Sequence, residues 1–358
     1  MTVTLNAPQQ CADFFRTYLL TRLQHWRDHA AVKTIEIATL DAEQEHILKA
    51  ITLGLDLAEA WATVRDLIIA FAPYMERRGH WEAWHVVLQG AISAAQHMGD
   101  ADGEITLMVL LAKLCQRQSR GQDLVRYYRR VIRLACWTGN RFELARACSN
   151  LGYFYIDGGR WWRGEVLSCH ALSTFEALES NHGRAHTHNH LGVLAIRMKN
   201  WSAAETHLLA ACQIWTVMPD YHSLITGYEN LALLYCEMAH AEKALYYLTQ
   251  AEVLTQETGE TAEIATVWSN MAFAYRLAGE FEKAIVYAGK AEDHYRQRTN
   301  WHAIARVWHN LALTYLATGN LTQASDYCER AQTLYQQFND QAGAKQLRAD
   351  YQELAEKR

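Results

Sequence analysis

The chain has 358 residues, half of them apolar, and its formal net charge is −5 at pH 7. This composition supplies ample material for a buried core, and the small net charge gives no global field that would favour nucleic acid or a membrane surface. No stretch of about 18 apolar residues occurs, so no membrane-spanning helix is predicted.

Eight cysteines are spread along the sequence without a CxxC pair or a regular framework. Most of them fall at apolar positions of a helical pattern, where a free cysteine behaves as a small buried hydrophobe. Such usage is typical of a reducing compartment. We therefore predict a cytoplasmic protein.

The first 64 residues carry the weakest pattern. The opening sequence MTVTLNAPQQCADFF has no basic region ahead of an apolar segment, so no secretory signal is predicted. Residues 41–64 have apolar residues at helical spacing and predict an additional helix. We assign residues 1–64 to an N-terminal helical segment.

A repeat of 40 residues dominates the next part of the chain. Its clearest copies are SNLGYFY from Ser149, NHLGVLA from Asn189, ENLALLY from Glu229, SNMAFAY from Ser269 and HNLALTY from His309. A period of this length is typical of solenoids, in which each repeat buries its apolar face against the next.

Each repeat contains two runs of apolar residues at helical spacing, separated by a short polar turn. Small residues share one position of the second helix, as expected if paired helices approach to about 8–10 Å. They are Gly164, Ala204, Ala244, Ala284 and Ala324. The turns GGRW, AGEF and TGNL contain glycine, which predicts a left-handed residue at the end of the first helix.

The same period continues upstream with a weaker pattern. Leu111 and Ala112 align with Leu151 and Gly152, and the segment from Gly79 to Trp81 aligns with residues 159–161. We predict seven helix pairs over residues 65–344, the first two degenerate, and a C-terminal capping helix over residues 345–358. The predicted fold is all-α, a right-handed α-solenoid of stacked antiparallel helix pairs.

The repeat resembles the tetratricopeptide repeat family from at least Ala145 to Gln341. The family motif places an aromatic residue, then Leu-Gly or Leu-Ala, then tyrosine in the first helix, and alanine twice in the second. This period is longer than the commonest one of about 34 residues, and most repeats lack the closing proline. The resemblance implies a binding scaffold.

A second resemblance covers roughly residues 10–100. The segments EQEHILKAITLGLDL, LIIAFAPYMERRGHWEAW and AISAAQHMGD are similar to the helical region that precedes the tetratricopeptide sensor of STAND-class regulatory NTPases. No GxxxxGK[ST] phosphate loop is present. The alternative hypothesis is therefore a sensor module of a signalling or transcription regulator, which would bind a small effector.

The residue before each Leu-Gly or Leu-Ala pair, and before the equivalent Met-Ala pair at residues 271–272, is predicted to face a concave groove. These positions are Asn150, His190, Asn230, Asn270 and Asn310. A carboxamide offers both a donor and an acceptor, so it can pair with a peptide backbone. The pattern resembles the asparagine ladders of kinesin light chain and O-GlcNAc transferase. The alternative is that these side chains bond to their neighbours and stabilise the stack.

Four further positions flank this predicted groove. A fifth residue supplies a carboxamide where the series of asparagines is interrupted. Arg146 and Arg306 lie one turn earlier than the ladder, and Tyr153 and Phe273 lie one turn later. Asn189 is placed to compensate where His190 interrupts the asparagines. We predict that an extended segment of a protein partner binds there.

Residues 117–163 contain ten arginines and three acidic residues, a local charge of +7. The candidate basic patch is Arg117, Arg120, Arg126, Arg129, Arg130 and Arg133. Because the planar guanidinium binds carboxylates bidentately, an acidic peptide is a possible partner. Nucleic acid is the weaker alternative, since the chain as a whole is acidic. A solvated face without a partner is the third interpretation.

Three histidines, His182, His186 and His190, lie at one-turn spacing and could hold zinc or nickel. No cysteine or carboxylate lies between them in sequence, so we predict that they line the groove without a metal. No GxSxG, HExxH or phosphate-loop motif occurs. We therefore predict neither an enzyme nor a cofactor.

Overall fold

The structure, a computed structural model, describes residues 7–31, 37–78, 80–258 and 263–356. Within these ranges the chain forms α-helices joined by short turns, one 3-10 turn at Ala58–Ala60, and no strand. The helices are α1 (Ala7–Ala31), α2 (Ile37–Gly54), α3 (Trp61–Arg78), α4 (Trp81–Met98), α5 (Ala101–Arg117), α6 (Gly121–Thr138), α7 (Arg141–Asp157), α8 (Trp161–Ala177), α9 (Asn181–Arg197), α10 (Trp201–Val217), α11 (Tyr221–Glu237), α12 (Ala241–Thr258), α13 (Ile264–Leu277), α14 (Phe281–Gln297), α15 (Trp301–Thr318), α16 (Leu321–Gln337) and α17 (Gln341–Glu356).

The chain divides into two compact units, residues 1–151 and 152–358, and the division falls within α7. In the first unit α3 packs against α1, and α4, α5 and α6 pack in succession. In the second unit each helix from α8 to α16 packs against the next one, and α17 packs against both α15 and α16. From α4 to α6 and from α8 to α16, packing therefore joins neighbours in sequence, as a repeat array requires, whereas α1 packs mainly against α3.

Residues 41–64, predicted as additional helix, belong to two helices, because α2 ends at Gly54 and α3 begins at Trp61. Gly54 lies against two buried side chains. A Cβ atom there would come within 2.6 Å of Val64 Cγ2 and 2.8 Å of Leu23 Cδ1. The close approach needs glycine, and glycine also weakens the helix at this point.

The final helix begins at Gln341, four residues before the predicted start at 345. Asp340 is its N-cap, since its Oδ1 accepts a hydrogen bond of 2.8 Å from the backbone N–H of Gly343. Gly79 and parts of the predicted terminal segments (1–6, 32–36 and 357–358) lie outside the described residues. The assignment of seven helix pairs to residues 65–344 stays a prediction.

Helices end at left-handed residues spaced 20 positions apart. The predicted glycines adopt this conformation, with φ of 72° at Gly159, 77° at Gly279 and 89° at Gly319. Residues other than glycine occupy the equivalent place in other turns: Ser119, Glu179, Lys199, Ala239, Thr299 and Asn339. The regular turn makes most helices 17 or 18 residues long.

The small residues predicted at the helix–helix contact are all buried. A close backbone approach joins Gly152 of α7 to Gly164 of α8, both in the second unit. A Cβ atom on Gly164 would lie 2.9 Å from the carbonyl oxygen of Gly152 and 2.5 Å from Ile156 Cγ1. The two backbones are therefore in direct contact.

No helix in the described part of the chain combines the length and the apolar character that crossing a bilayer requires.

Candidate ligand-binding face

The first helices of successive repeats in the second unit lie against one another. Contacts join α9 to α11, α11 to α13 and α13 to α15. In the described residues no contact of similar extent joins the second helices α10, α12, α14 and α16 to one another. The stack is thus tighter on the side of the first helices. We call the surface formed by α9, α11, α13 and α15 the inner face.

Polar side chains connect these helices at a constant spacing. Asn230 Nδ2 donates to Asn189 Oδ1 over 2.9 Å, and Asn270 Nδ2 donates to Glu229 Oε1 over 3.3 Å. Each bond joins residues 41 apart, so the same contact recurs one repeat later. The regular packing of identical helix pairs explains this recurrence.

The third asparagine has a different partner. Asn310 Oδ1 accepts a 2.8 Å hydrogen bond from Arg276 Nε, and the Arg276 guanidinium lies 5.0 Å from the centre of the Phe273 ring. Burial lowers the pKa of Arg276. Arg276 therefore fixes two predicted groove residues at once, and sequence reasoning missed it. The sequence feature that could have indicated Arg276 is a single charged residue near the end of a mainly apolar first helix.

The three half-buried amides of Asn230, Asn270 and Asn310 form what we call the amide ladder. A carboxamide has two N–H donors and two acceptor lone pairs. The bond described for each amide occupies only one of these positions. Neighbour bonding, the alternative considered from the sequence, is therefore present, and it leaves hydrogen-bonding capacity on each side chain.

Asn189 does not take the place of an inner-face amide. Its side chain is only 7% exposed, and its Oδ1 accepts the bond from Asn230. It is placed to orient Asn230 and not to touch a ligand. His190 is half-buried and stacks on Tyr153, with ring centroids 4.6 Å apart. Burial raises the pKa of the Tyr153 phenol.

Two predicted groove residues, Asn150 and Arg146, belong to the first unit. Asn150 lines a cavity of about 450 Å³ with Lys113, Gln116, Arg117 and Tyr128. Arg146 is half-buried and forms a 2.6 Å ion pair with Glu143 one turn earlier in α7. In the second unit, Arg306 is exposed on α15.

The arginines of the predicted basic patch lie in different places on the first unit. Arg126, Arg130 and Arg133 line one cavity of about 460 Å³ formed by α4, α5 and α6. Arg117 lines the cavity of Asn150, and Arg129 is exposed.

Carboxylates already neutralise part of this charge. Arg120 pairs with Glu82 at 3.1 Å, and Arg126 pairs with Asp123 at 3.1 Å. Arg130 forms a 2.6 Å ion pair with Glu104. The arginines therefore form a cleft with local acidic partners and not a continuous basic surface.

A carboxyl group on the inner face has an unusual environment. Burial, followed by the nearby charge of Glu263, raises the pKa of Glu229 to about 8, and Arg306 only partly opposes this. Glu263 in turn pairs with His222, whose Nδ1 lies 3.3 Å from Glu263 Oε1. At neutral pH, Glu229 is therefore largely protonated in the folded chain.

We expect Glu229→Gln to weaken the dependence of stability on pH. The ordinary pKa of this carboxyl is 4.5 and the folded value is about 8. Between these values the folded chain holds a proton that the unfolded chain has released, so the free energy of unfolding falls as pH rises. The variant should exceed the wild type by more than about 1 kcal/mol at pH 8.

Urea unfolding at pH 5 and pH 8 measures this difference. Glu242→Gln, at an exposed position of α12, is the control and should behave as the wild type. A Glu229→Gln profile parallel to that of the wild type would show that Glu229 titrates normally.

Two of the three histidines considered as metal ligands lie together. His182 Nε2 and His186 Nε2 are 3.2 Å apart. His190 does not belong to this cluster, and a carboxylate distant in sequence, Asp220, lies beside the two histidines. The stacking of consecutive repeats brings it there.

Comparison with known protein families matches residues 183–254 and 263–337 to the family model described as the tetratricopeptide repeat. Among curated proteins, none matches the sequence.

Several solved structures share the fold. A Rap protein complexed with competence and sporulation factor aligns with a TM-score of 0.61 at 13% identity, over 96% of this chain and 99% of that chain. Aspartyl phosphate phosphatase F from Bacillus subtilis aligns with a TM-score of 0.55 at 11% identity, over 99% and 96% of the two chains.

A STAND signal-transduction ATPase with a tetratricopeptide repeat sensor, from Pyrococcus horikoshii, aligns with a TM-score of 0.59 at 13% identity. The alignment covers 83% of this chain and 49% of that one. At these identities the similarity concerns the fold alone. The predicted all-α stack of helix pairs is confirmed.

Proposed function

We propose that this chain, in which residues 183–254 and 263–337 are tetratricopeptide repeats, is a protein-interaction scaffold without catalytic activity. In this proposal the inner face holds an extended peptide segment of a partner. The observation that carries it is the amide ladder, which presents one half-buried carboxamide per repeat from three consecutive first helices.

The ladder has the spacing that an extended peptide needs. A peptide in this conformation advances about 3.3 Å per residue. Adjacent helices lie about 8–10 Å apart, so one amide meets roughly every third peptide residue. Pairing with the peptide backbone tolerates many sequences, while half-exposed apolar residues such as Leu233 and Phe273 contact the peptide side chains.

Bonds within the stack support this role. Asn189 and Glu229 each hold one amide of the ladder, and Arg276 holds the third. A side chain that is already oriented loses less conformational entropy when a ligand binds. The neighbour contacts therefore favour binding and do not compete with it.

Two further observations agree with the proposal. The similar Rap protein was solved in complex with competence and sporulation factor, so this fold accommodates a bound ligand. We place the scaffold in the cytoplasm because its cysteines suit a reducing compartment. Four are buried, Cys115, Cys148, Cys212 and Cys236, and burial raises the pKa of each thiol.

The test uses a display library of random 12-residue peptides selected on the immobilised full chain. Fluorescence anisotropy then measures the affinity of the selected peptide for the wild type and for Asn230→Ala combined with Asn270→Ala. A hydrogen bond contributes about 0.5–1.5 kcal/mol. Because two amides are removed, the loss is about 1–3 kcal/mol, and we expect the affinity to fall about 5- to 150-fold.

The matched control removes two exposed carboxamides from a second helix, Gln250→Ala combined with Gln256→Ala in α12. It should bind as the wild type does. Failure to select any peptide, or equal affinities for both double variants, would refute binding at the inner face.

The second candidate is a sensor that binds a small anionic effector in the first unit. The cavity of about 460 Å³ favours it, since Arg126, Arg130 and Arg133 surround a floor that includes Met108 and Leu111. Guanidinium groups bind carboxylates and phosphates bidentately. Thermal stabilisation by a small anion, without any peptide binding, would favour this function over the scaffold.

A further inference from the structure

The start of α9 and the start of α11 come together at a cluster of three metal-ligating side chains. His182 and His186 lie one turn apart in α9, which begins after its N-cap Ser180. Asp220 is the N-cap of α11 and lies one repeat after Ser180 in sequence. Because consecutive first helices lie against each other, the repeat itself brings Asp220 beside the two histidines.

We propose that His182, His186 and Asp220 form a binding site for one divalent transition-metal ion, with zinc as the reference ion. The two Nε2 atoms are 3.2 Å apart, and one oxygen of Asp220 lies within 4.8 Å of a ring nitrogen of each histidine. Zinc–nitrogen bonds of about 2.0–2.1 Å in a tetrahedron separate two ligand nitrogens by about 3.3–3.4 Å. The histidines therefore already have the spacing of a zinc site.

The neighbouring side chains hold this arrangement. The His186 ring meets the buried Trp215 ring edge-on, with centroids 5.3 Å apart, and this contact fixes the imidazole. Asp220 Oδ1 accepts a hydrogen bond of 3.2 Å from the backbone N–H of Ser223. The other carboxylate oxygen of Asp220, Oδ2, would then bind the ion after the carboxylate rotates.

The ligand types determine which ions bind. Two imidazoles with one carboxylate suit Zn²⁺, Co²⁺ and Ni²⁺, whereas Mg²⁺ and Ca²⁺ prefer oxygen ligands alone. Three protein ligands leave a fourth position of a tetrahedral ion open. A water molecule or a side chain of a bound partner can occupy that position.

Isothermal titration of the chelator-treated full chain with zinc chloride tests the proposal, and we expect one site per chain. His182→Ala removes an exposed ligand, and Asp220→Asn removes the charge while asparagine still serves as an N-cap. Each should lower the zinc affinity at least about tenfold. The absorption spectrum of bound Co²⁺ should indicate tetrahedral coordination in the wild type and change in both variants.

The control is His25→Ala combined with His29→Ala, an imidazole pair at the same spacing in α1. Within the described residues no third ligand completes a cluster at that pair. Exposed Cys11, Cys136 and Cys169 could bind zinc adventitiously, but they are unchanged in all variants.

A zinc affinity that falls in both site variants and not in the control supports the site. Three outcomes overturn it: no stoichiometric zinc binding, equal affinities in all variants, or a loss confined to the His25 and His29 control. In the first case the 3.2 Å contact is a hydrogen bond between the two imidazoles. Circular dichroism without metal confirms that each variant is folded.

Discussion

Replacing Trp215 by alanine is expected to lower the free energy of unfolding of the second unit by about 3–5 kcal/mol. The indole is 1% exposed and belongs to the core cluster that includes Ala211, Leu231 and Leu248. Gly227 leaves room for it, since a Cβ atom there would lie 3.0 Å from Trp215 Cζ3. Removal of the ring leaves a cavity that rigid neighbouring helices cannot close.

Two further variants separate the effect of the lost side-chain volume at Trp215 from the effects of a lost hydrogen bond and of removing any tryptophan. Trp215 Nε1 has no hydrogen-bond partner among the described residues, so Trp215→Phe removes no bond and should cost much less than the alanine variant. Trp162 is 73% exposed, and Trp162→Ala should change stability by less than about 0.5 kcal/mol.

Urea unfolding followed by circular dichroism gives the three values. Similar losses for Trp215→Ala and Trp162→Ala would show that Trp215 does not hold the core together.

Gly164→Ala and Gly289→Ala are expected to change stability in opposite directions. The added methyl at Gly164 meets the backbone of Gly152 at 2.9 Å, so α7 and α8 must separate locally. Overpacking of this kind costs about 1–3 kcal/mol. At Gly289 in α14, nothing lies within 4 Å of the added methyl, and alanine is the better helix former by about 0.8–1.0 kcal/mol.

This pair controls for helix propensity, because both glycines lie inside helices and receive the same methyl group. Thermal unfolding should give a lower midpoint for Gly164→Ala and a higher one for Gly289→Ala. A higher midpoint for both variants would mean that the contact between Gly152 and Gly164 is loose.

The sequence predicts the helix pairs well because their signals are local and repeated. Alanine or glycine at a fixed position of every second helix marks where two backbones approach, and these residues are buried. Glycine marks the end of a helix where its φ is positive, as at Gly279 and Gly319. Each of these signals consists of a single residue type at a fixed position of the repeat, so it can be recognised without knowledge of distant contacts.

Turns without glycine could not be predicted in this way. Lys199 and Ala239 adopt φ of 58°, a conformation that their side chains disfavour. The packing of the flanking helices imposes it, so only the 20-residue regularity of the turns could have indicated these positions. At Gly54 a glycine is present, but its role at the end of α2 depends on close contact with Val64 and Leu23, which the sequence does not show.

The candidate site was predictable in its positions and not in its contacts. The spacing of 40 residues placed Asn230, Asn270 and Asn310 on equivalent turns. The sequence could not show that Arg276 holds Asn310, or that Asp220 lies beside His182, since both depend on distances between helices.

The most direct test of peptide binding at the inner face is site-specific photo-crosslinking with the selected peptide. Benzoylphenylalanine replaces Phe273 or Leu233 on the inner face, or Tyr246, which is 60% exposed on α12. We predict crosslinks from positions 273 and 233 and none from position 246. Crosslinks from position 246 alone, or equally from all three positions, would contradict it.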